Sequence, residues 1–150
     1  MPRMFENKRF TILMADDDQD DHLLMEEAWA ESFPENDLRF VSNGEELMDY
    51  LRREGKYVDV AVSPKPNLIF LDLNMPRKNG REALKEIKSH PELRQIPVIV
   101  FTTAFSPNDV AQAYALGANS FISKPVTFDE LVDVMRTMGQ YWFKFVHLPV

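Results

Sequence analysis

Four short apolar runs, each ending in a polar side chain, organise this sequence. Phe10-Thr11-Ile12-Leu13-Met14-Ala15 runs into Asp16-Asp17, Leu68-Ile69-Phe70-Leu71 into Asp72, Val98-Ile99-Val100-Phe101 into Thr102, and Ser120-Phe121-Ile122-Ser123 into Lys124. The first three runs, predominantly apolar rather than alternating, fit strands buried on both faces. Helical patterns lie between them. The acidic stretch Asp16 to Asp21 opens a helix through about Ser32, with Leu23, Leu24, Ala28 and Trp29 as its apolar stripe. A short strand follows at Leu38–Val41. Ser42-Asn43-Gly44-Glu45 then opens a second helix to about Arg53, with Leu47, Tyr50 and Leu51 facing inward. Glu54 to Pro66 reads as a loop that is long for a compact α/β unit. Further helices are predicted over Arg81–Ser89, about Pro107–Leu116, and from Thr127 onward. Regular alternation of strand and helix predicts an α/β fold: a doubly wound, five-stranded parallel sheet with helices on both faces. Residues 1–9 read as a polar leader and 10–150 as a single domain with an extended C-terminal helix.

If the strands are parallel neighbours, their polar ends share one edge, and open α/β sheets bind ligands at the carboxyl edge. Asp16, Asp17, Asp72, Thr102 and Lys124 then converge: three carboxylates, one hydroxyl and one ammonium. Adjacent carboxylates repel unless a cation compensates them. Mg²⁺ suits the set, because it takes few carboxylates, some waters and a phosphate oxygen. Asp18, Asp20 and Asp21 read instead as solvated acids capping the helix that follows.

Composition narrows the partners. With 45% hydrophobic residues, 150 residues are enough to enclose one core. Seventeen basic against 24 acidic residues give a net charge of −7, which argues against a direct hold on nucleic acid or on an anionic membrane. There is no cysteine, so disulfides and thiolate metal sites are excluded. The N-terminus lacks the apolar stretch of a signal peptide, and no run could span a bilayer. A cytoplasmic location is expected.

Ile12-Leu13-Met14-Ala15-Asp16-Asp17-Asp18, Leu71-Asp72-Leu73-Asn74-Met75-Pro76 with Gly80 following, Phe101-Thr102-Thr103 and Phe121-Ile122-Ser123-Lys124-Pro125 occur in this order. Together they resemble the receiver domain of two-component response regulators, a flavodoxin-like fold, over about Phe10 to Met138. The long segment before the third core strand and Arg77-Lys78-Asn79-Gly80-Arg81-Glu82 resemble the single-domain regulators that serve phytochrome-type kinases. The resemblance implies that Asp72 takes a phosphoryl group from a sensor histidine kinase. It also implies direct Mg²⁺ ligation by Asp17 and Asp72, with the backbone carbonyl of Asn74 and, through water, Asp16. Lys124 would pair with a phosphoryl oxygen. Thr102 would donate its hydroxyl to another, acting as a switch together with Phe121. Thr103 stands where the family usually has a small residue, and its branched side chain is expected to narrow access to Asp72.

The last helix carries a broad apolar face. Leu131, Met135, Met138, Trp142 and Phe145 form a stripe that Val134 and Tyr141 widen. A homodimer built on Met138, Tyr141, Trp142 and Phe145 is expected, since contiguous apolar surface usually marks association. The sequence ends after that helix, so output is expected through protein contact or a further phosphotransfer protein. Two rivals remain: a receiver that binds partners without phosphorylation, and a Mg²⁺-dependent phosphohydrolase. The hydrolase would need an acid or base two residues after Asp72, where Asn74 stands.

Overall fold

The computed structural model describes residues 9–149; most of the polar leader, residues 1–8, lies outside the described residues. Strands β1 (Thr11–Ala15), β2 (Asp37–Val41), β3 (Leu68–Leu71), β4 (Val98–Thr102) and β5 (Ser120–Ser123) alternate with helices α1 (Gln19–Ser32), α2 (Gly44–Arg52), α3 (Gly80–Ser89), α4 (Pro107–Ala115) and α5 (Phe128–Gly139). The sheet order is β2-β1-β3-β4-β5, and every pairing is parallel. Among the described residues no helix is long and apolar enough to cross a membrane.

Successive strand residues face opposite sides of a sheet, and both sides are apolar here. Leu13, Ala15, Ile69, Leu71, Val98 and Val100 lie under α2, α3 and α4. Ile12, Met14, Leu68, Phe70, Ile99 and Phe101 lie under α1 and α5. Each helix begins at a side-chain cap: Asp18, Asn43, Asn79, Ser106 and Thr127 accept hydrogen bonds from the first turns of α1 to α5. Within the loop expected from Glu54 to Pro66, Gly55–Tyr57 form one 3₁₀ turn.

Two expectations are corrected. Helix α1 buries His22, Met25, Ala28 and Trp29, while Leu23 and Leu24 are exposed. Its inner face is therefore rotated about one residue from the expected stripe. The dimer face is also changed. After Gly139 the chain continues as a π-wound turn, Gln140–Phe145, in which the Val146 N–H donates to the Tyr141 carbonyl. The wider winding brings consecutive rings inward. Trp142 is buried, and Phe143 stacks on Phe10 at 4.8 Å and meets Trp29 and Phe33 edge-on. Trp142 thus belongs to the chain's own core, whereas Tyr141 and Phe145 are exposed. Gly139 allows the approach, because a Cβ there would overlap the Phe33 ring.

This packing makes a direct prediction. Trp142→Ala is expected to cost about 3–5 kcal/mol and Met25→Ala about 2–5 kcal/mol, as buried side-chain truncations do. Leu23→Ala is expected to stay within about 0.5 kcal/mol. Urea unfolding of the three variants checks both corrections.

Candidate functional site at the carboxyl edge of the sheet

Parallel register brings the polar strand ends together. Ala15 pairs with Leu71, Leu71 with Val100, and Thr102 with Ser123, so the residues just beyond β1, β3 and β5 meet around Thr102. Backbone bonds extend the sheet by one step: the Asp16 N–H donates to Val41, that of Asp72 to Ala15, and that of Lys124 to Thr102.

Asp72 is buried, and both its oxygens are occupied. Oδ1 accepts from the Thr102 hydroxyl at 2.8 Å and from the Asn74 N–H at 3.0 Å; Oδ2 accepts from Lys124 Nζ at 2.9 Å. The Asn74 side chain leans on the Thr102 hydroxyl at 3.4 Å. The turn after Asp72 closes through a bond from the Gly80 N–H to the Leu73 carbonyl. Only glycine fits there, since a Cβ on residue 80 would strike the Asp72 carbonyl oxygen.

Asp16 has no exposed surface. Its Oδ1 accepts from the Asp18 N–H and its Oδ2 from Lys124 Nζ at 2.6 Å. The buried imidazole of His22 donates from Nε2 to the Asp16 carbonyl at 2.6 Å and stacks on Phe40. Burial pushes the Asp16 carboxyl up to about 6, against the lowering effects of Lys124 and the Asp18 N–H. Lys124 is displaced the other way: burial disfavours its charge, but hydrogen bonds to Asp16, Asp21 and Asp72 outweigh that and hold the ammonium protonated well above its ordinary range.

Oxygens of Asp16, Asp17 and Asp72 lie within 4.8 Å of one another. Counting Asp21, four carboxylates face the single ammonium of Lys124, so the charge is far from balanced. Clustered hard oxygens with a negative excess fit a divalent cation. The site is made of the residues read from the sequence: Asp16, Asp17, Asp72, Thr102 and Lys124 meet here, with Asn74 alongside. Thr103 is exposed at the rim. Phe121 stands apart on β5, half-buried, with its ring edge-on to Phe105 at 5.1 Å.

Asp21 and His22 join the site beyond the residues expected from the sequence. Asp21, expected only as a helix-capping acid, pairs with Lys124 Nζ at 2.8 Å. A sequence signal existed: His22, Met25, Ala28 and Trp29 recur at helical spacing, which puts His22 on the inner face and Asp21 at its edge.

The raised Asp16 carboxyl gives a testable sign. The folded chain binds this proton more tightly than the unfolded chain, so its contribution to stability falls as pH rises from about 4 through 6. Without divalent cations, the unfolding free energy of wild type minus that of Asp16→Asn is expected to drop across this window, by at most about 3 kcal/mol. Millimolar Mg²⁺ or Mn²⁺ is expected to flatten the drop in urea titrations at successive pH values.

Known proteins share the fold of this chain. The family model of the response regulator receiver domain matches residues 12–136. Response regulator Rcp1 from Synechocystis sp. is 37% identical over 138 residues, covering 92% of this chain and 92% of Rcp1. Among solved structures, the phosphorylated cyanobacterial phytochrome response regulator RcpA superposes with a TM-score of 0.87 at 37% identity, covering 95% of this chain and 99% of that one. The Mn(2+)-bound form of Rcp1 superposes with a TM-score of 0.84 at 36% identity, covering 94% of this chain and 99% of that one.

Proposed function

The chain belongs to the response regulator receiver family, and on that premise we propose that it is a cytoplasmic phosphoacceptor that takes a phosphoryl group from a sensor histidine kinase onto Asp72. The observation that carries the reading is the convergence on Asp72 of Thr102, Lys124 and the acidic cluster. In the transfer, the N–P bond of a phosphohistidine breaks as a carboxylate oxygen of Asp72 bonds to phosphorus, and the imidazole keeps the electron pair. Such a reaction asks mainly for positioning and charge compensation. Asp17 and Asp72, the Asn74 carbonyl and, through water, Asp16 would hold Mg²⁺, which supplies positive charge at the transferring oxygens. Lys124 already lies against Asp72, where its N–H can turn to a phosphoryl oxygen. The Thr102 hydroxyl can do the same, and Phe121, half-buried on the edge strand beside Phe105, would follow. Thr103 at the rim would limit small donors.

A phytochrome-type kinase is the partner we favour, because phytochrome regulators recur among the similar structures. Exposed Leu24 and Val126 border the cavity beside Asp21 and Lys124, giving a kinase an apolar rim to cover. Output would go through protein contact or a downstream phosphotransfer protein. Pairing of two copies on the last helix is retained with Met138, Tyr141 and Phe145, without Trp142.

Incubation with a phosphorylated cognate kinase and Mg²⁺ is expected to give an acid-stable, base-labile acyl phosphate on wild type and none on Asp72→Asn. Label persisting on Asp72→Asn would place the acceptor elsewhere. Calorimetry tests the cation: Asp17→Ala is expected to weaken Mg²⁺ binding about tenfold, or about 1.4 kcal/mol. An unchanged titration would remove Asp17 from the ligand set.

A further inference from the structure

Lys124 has three N–H donors, and all three are taken. Asp16 at 2.6 Å and Asp72 at 2.9 Å lie on the sheet edge; Asp21 at 2.8 Å lies in the first turn of α1. Asp16 and Asp72 each have other partners, from the Asp18 and Asn74 N–H groups and the Thr102 hydroxyl. The bond to Asp21 ties the ammonium to a helix rather than to the sheet. Its surroundings strengthen it. The pair borders a cavity of about 60 Å³ walled by Met14, Met25, Phe101, Phe128 and Leu131, with 9% of the Lys124 side chain and 30% of the Asp21 side chain exposed. Apolar walls lower the local dielectric and make charge pairing there stronger than at an open surface.

A phosphoryl group on Asp72 needs an N–H of Lys124, and it brings further negative charge to a place where carboxylates already outnumber cations. Asp21 opposes it twice, by occupying the same ammonium and by repelling the same charge. We infer that Asp21 is a positioning residue for phosphoryl transfer: it holds Lys124 on α1 in competition with the phosphoryl group and so limits how tightly and how long that group is kept. The inference rests on Asp72 being the phosphoacceptor. It also makes α1 sensitive to the state of the site, because an ammonium that turns toward the phosphoryl group loosens its tie to the helix.

The test uses the full chain with Mg²⁺ and beryllofluoride, a phosphoryl mimic, followed by fluorine NMR and calorimetry. Asp21→Asn is expected to bind beryllofluoride about threefold or more tighter than wild type, as removal of one nearby charge would give. Its aspartyl phosphate is expected to live longer by a similar factor. Asp21→Glu, which restores the charge, is expected to return both values toward wild type. A purely structural role for Asp21 would move the unfolding midpoint and leave the affinity alone. Unchanged or weaker binding by Asp21→Asn, with wild type binding normally, would overturn the inference. If wild type itself failed to bind beryllofluoride, or if Asp72→Asn still took label, the phosphoacceptor reading would fall and this inference with it.

Discussion

One ammonium is asked to neutralise more carboxylates than it can. Lys124 holds Asp16, Asp21 and Asp72 within 2.9 Å, with Asp17 beside them, and the protein covers part of this cluster from water. Such an arrangement is weak support for stability, because desolvation of buried charges offsets much of their attraction. Burial raises the Asp16 carboxyl for the same reason. The fold accepts it because the backbone beneath is over-determined. Asp16, Asp72 and Lys124 are fixed by sheet bonds to Val41, Ala15 and Thr102, so the carboxylates cannot move apart to relieve their repulsion. Positive charge must come to them.

Stability is unevenly distributed around that edge. On one face, α1 and α5 are clamped by Phe10, Trp29, Phe33 and Phe143, and the π-wound turn completes the clamp. On the other side β5 is only half-buried, and its Phe121 leans on the exposed Phe105. Regions with few buried apolar contacts open first.

Much of this was legible in the sequence, for a physical reason. Parallel strands buried on both faces are largely apolar, so Asp72 after Leu68–Leu71 and Thr102 at the end of Val98–Phe101 stand out as the points where polar chemistry enters the carboxyl edge of the sheet. The parallel sheet, its layers and the five converging side chains follow from that contrast, whereas the strand order comes from the structure. The misreadings arose where periodicity was ambiguous. In α1, Leu23 and Leu24 are more hydrophobic than His22, but His22 has a carbonyl to bond and a ring to stack on, so the less apolar residue is the one buried. In the last helix the expected stripe assumed α spacing. Trp142 does continue that stripe but is buried in the chain's own core, and the π winding after Gly139 turns its neighbour Phe143 onto Phe10, Trp29 and Phe33 as well, which α spacing alone would not do.

Both tryptophans of the chain, Trp29 and Trp142, lie in the same apolar cluster between the sheet and the α1–α5 layer. Their indole emission is a probe of that layer's packing. Quenching or a red shift on adding a cation or a phosphodonor would thus be a spectral signature of α1 moving against α5, whereas a silent spectrum would be compatible with full occupancy of the acidic cluster.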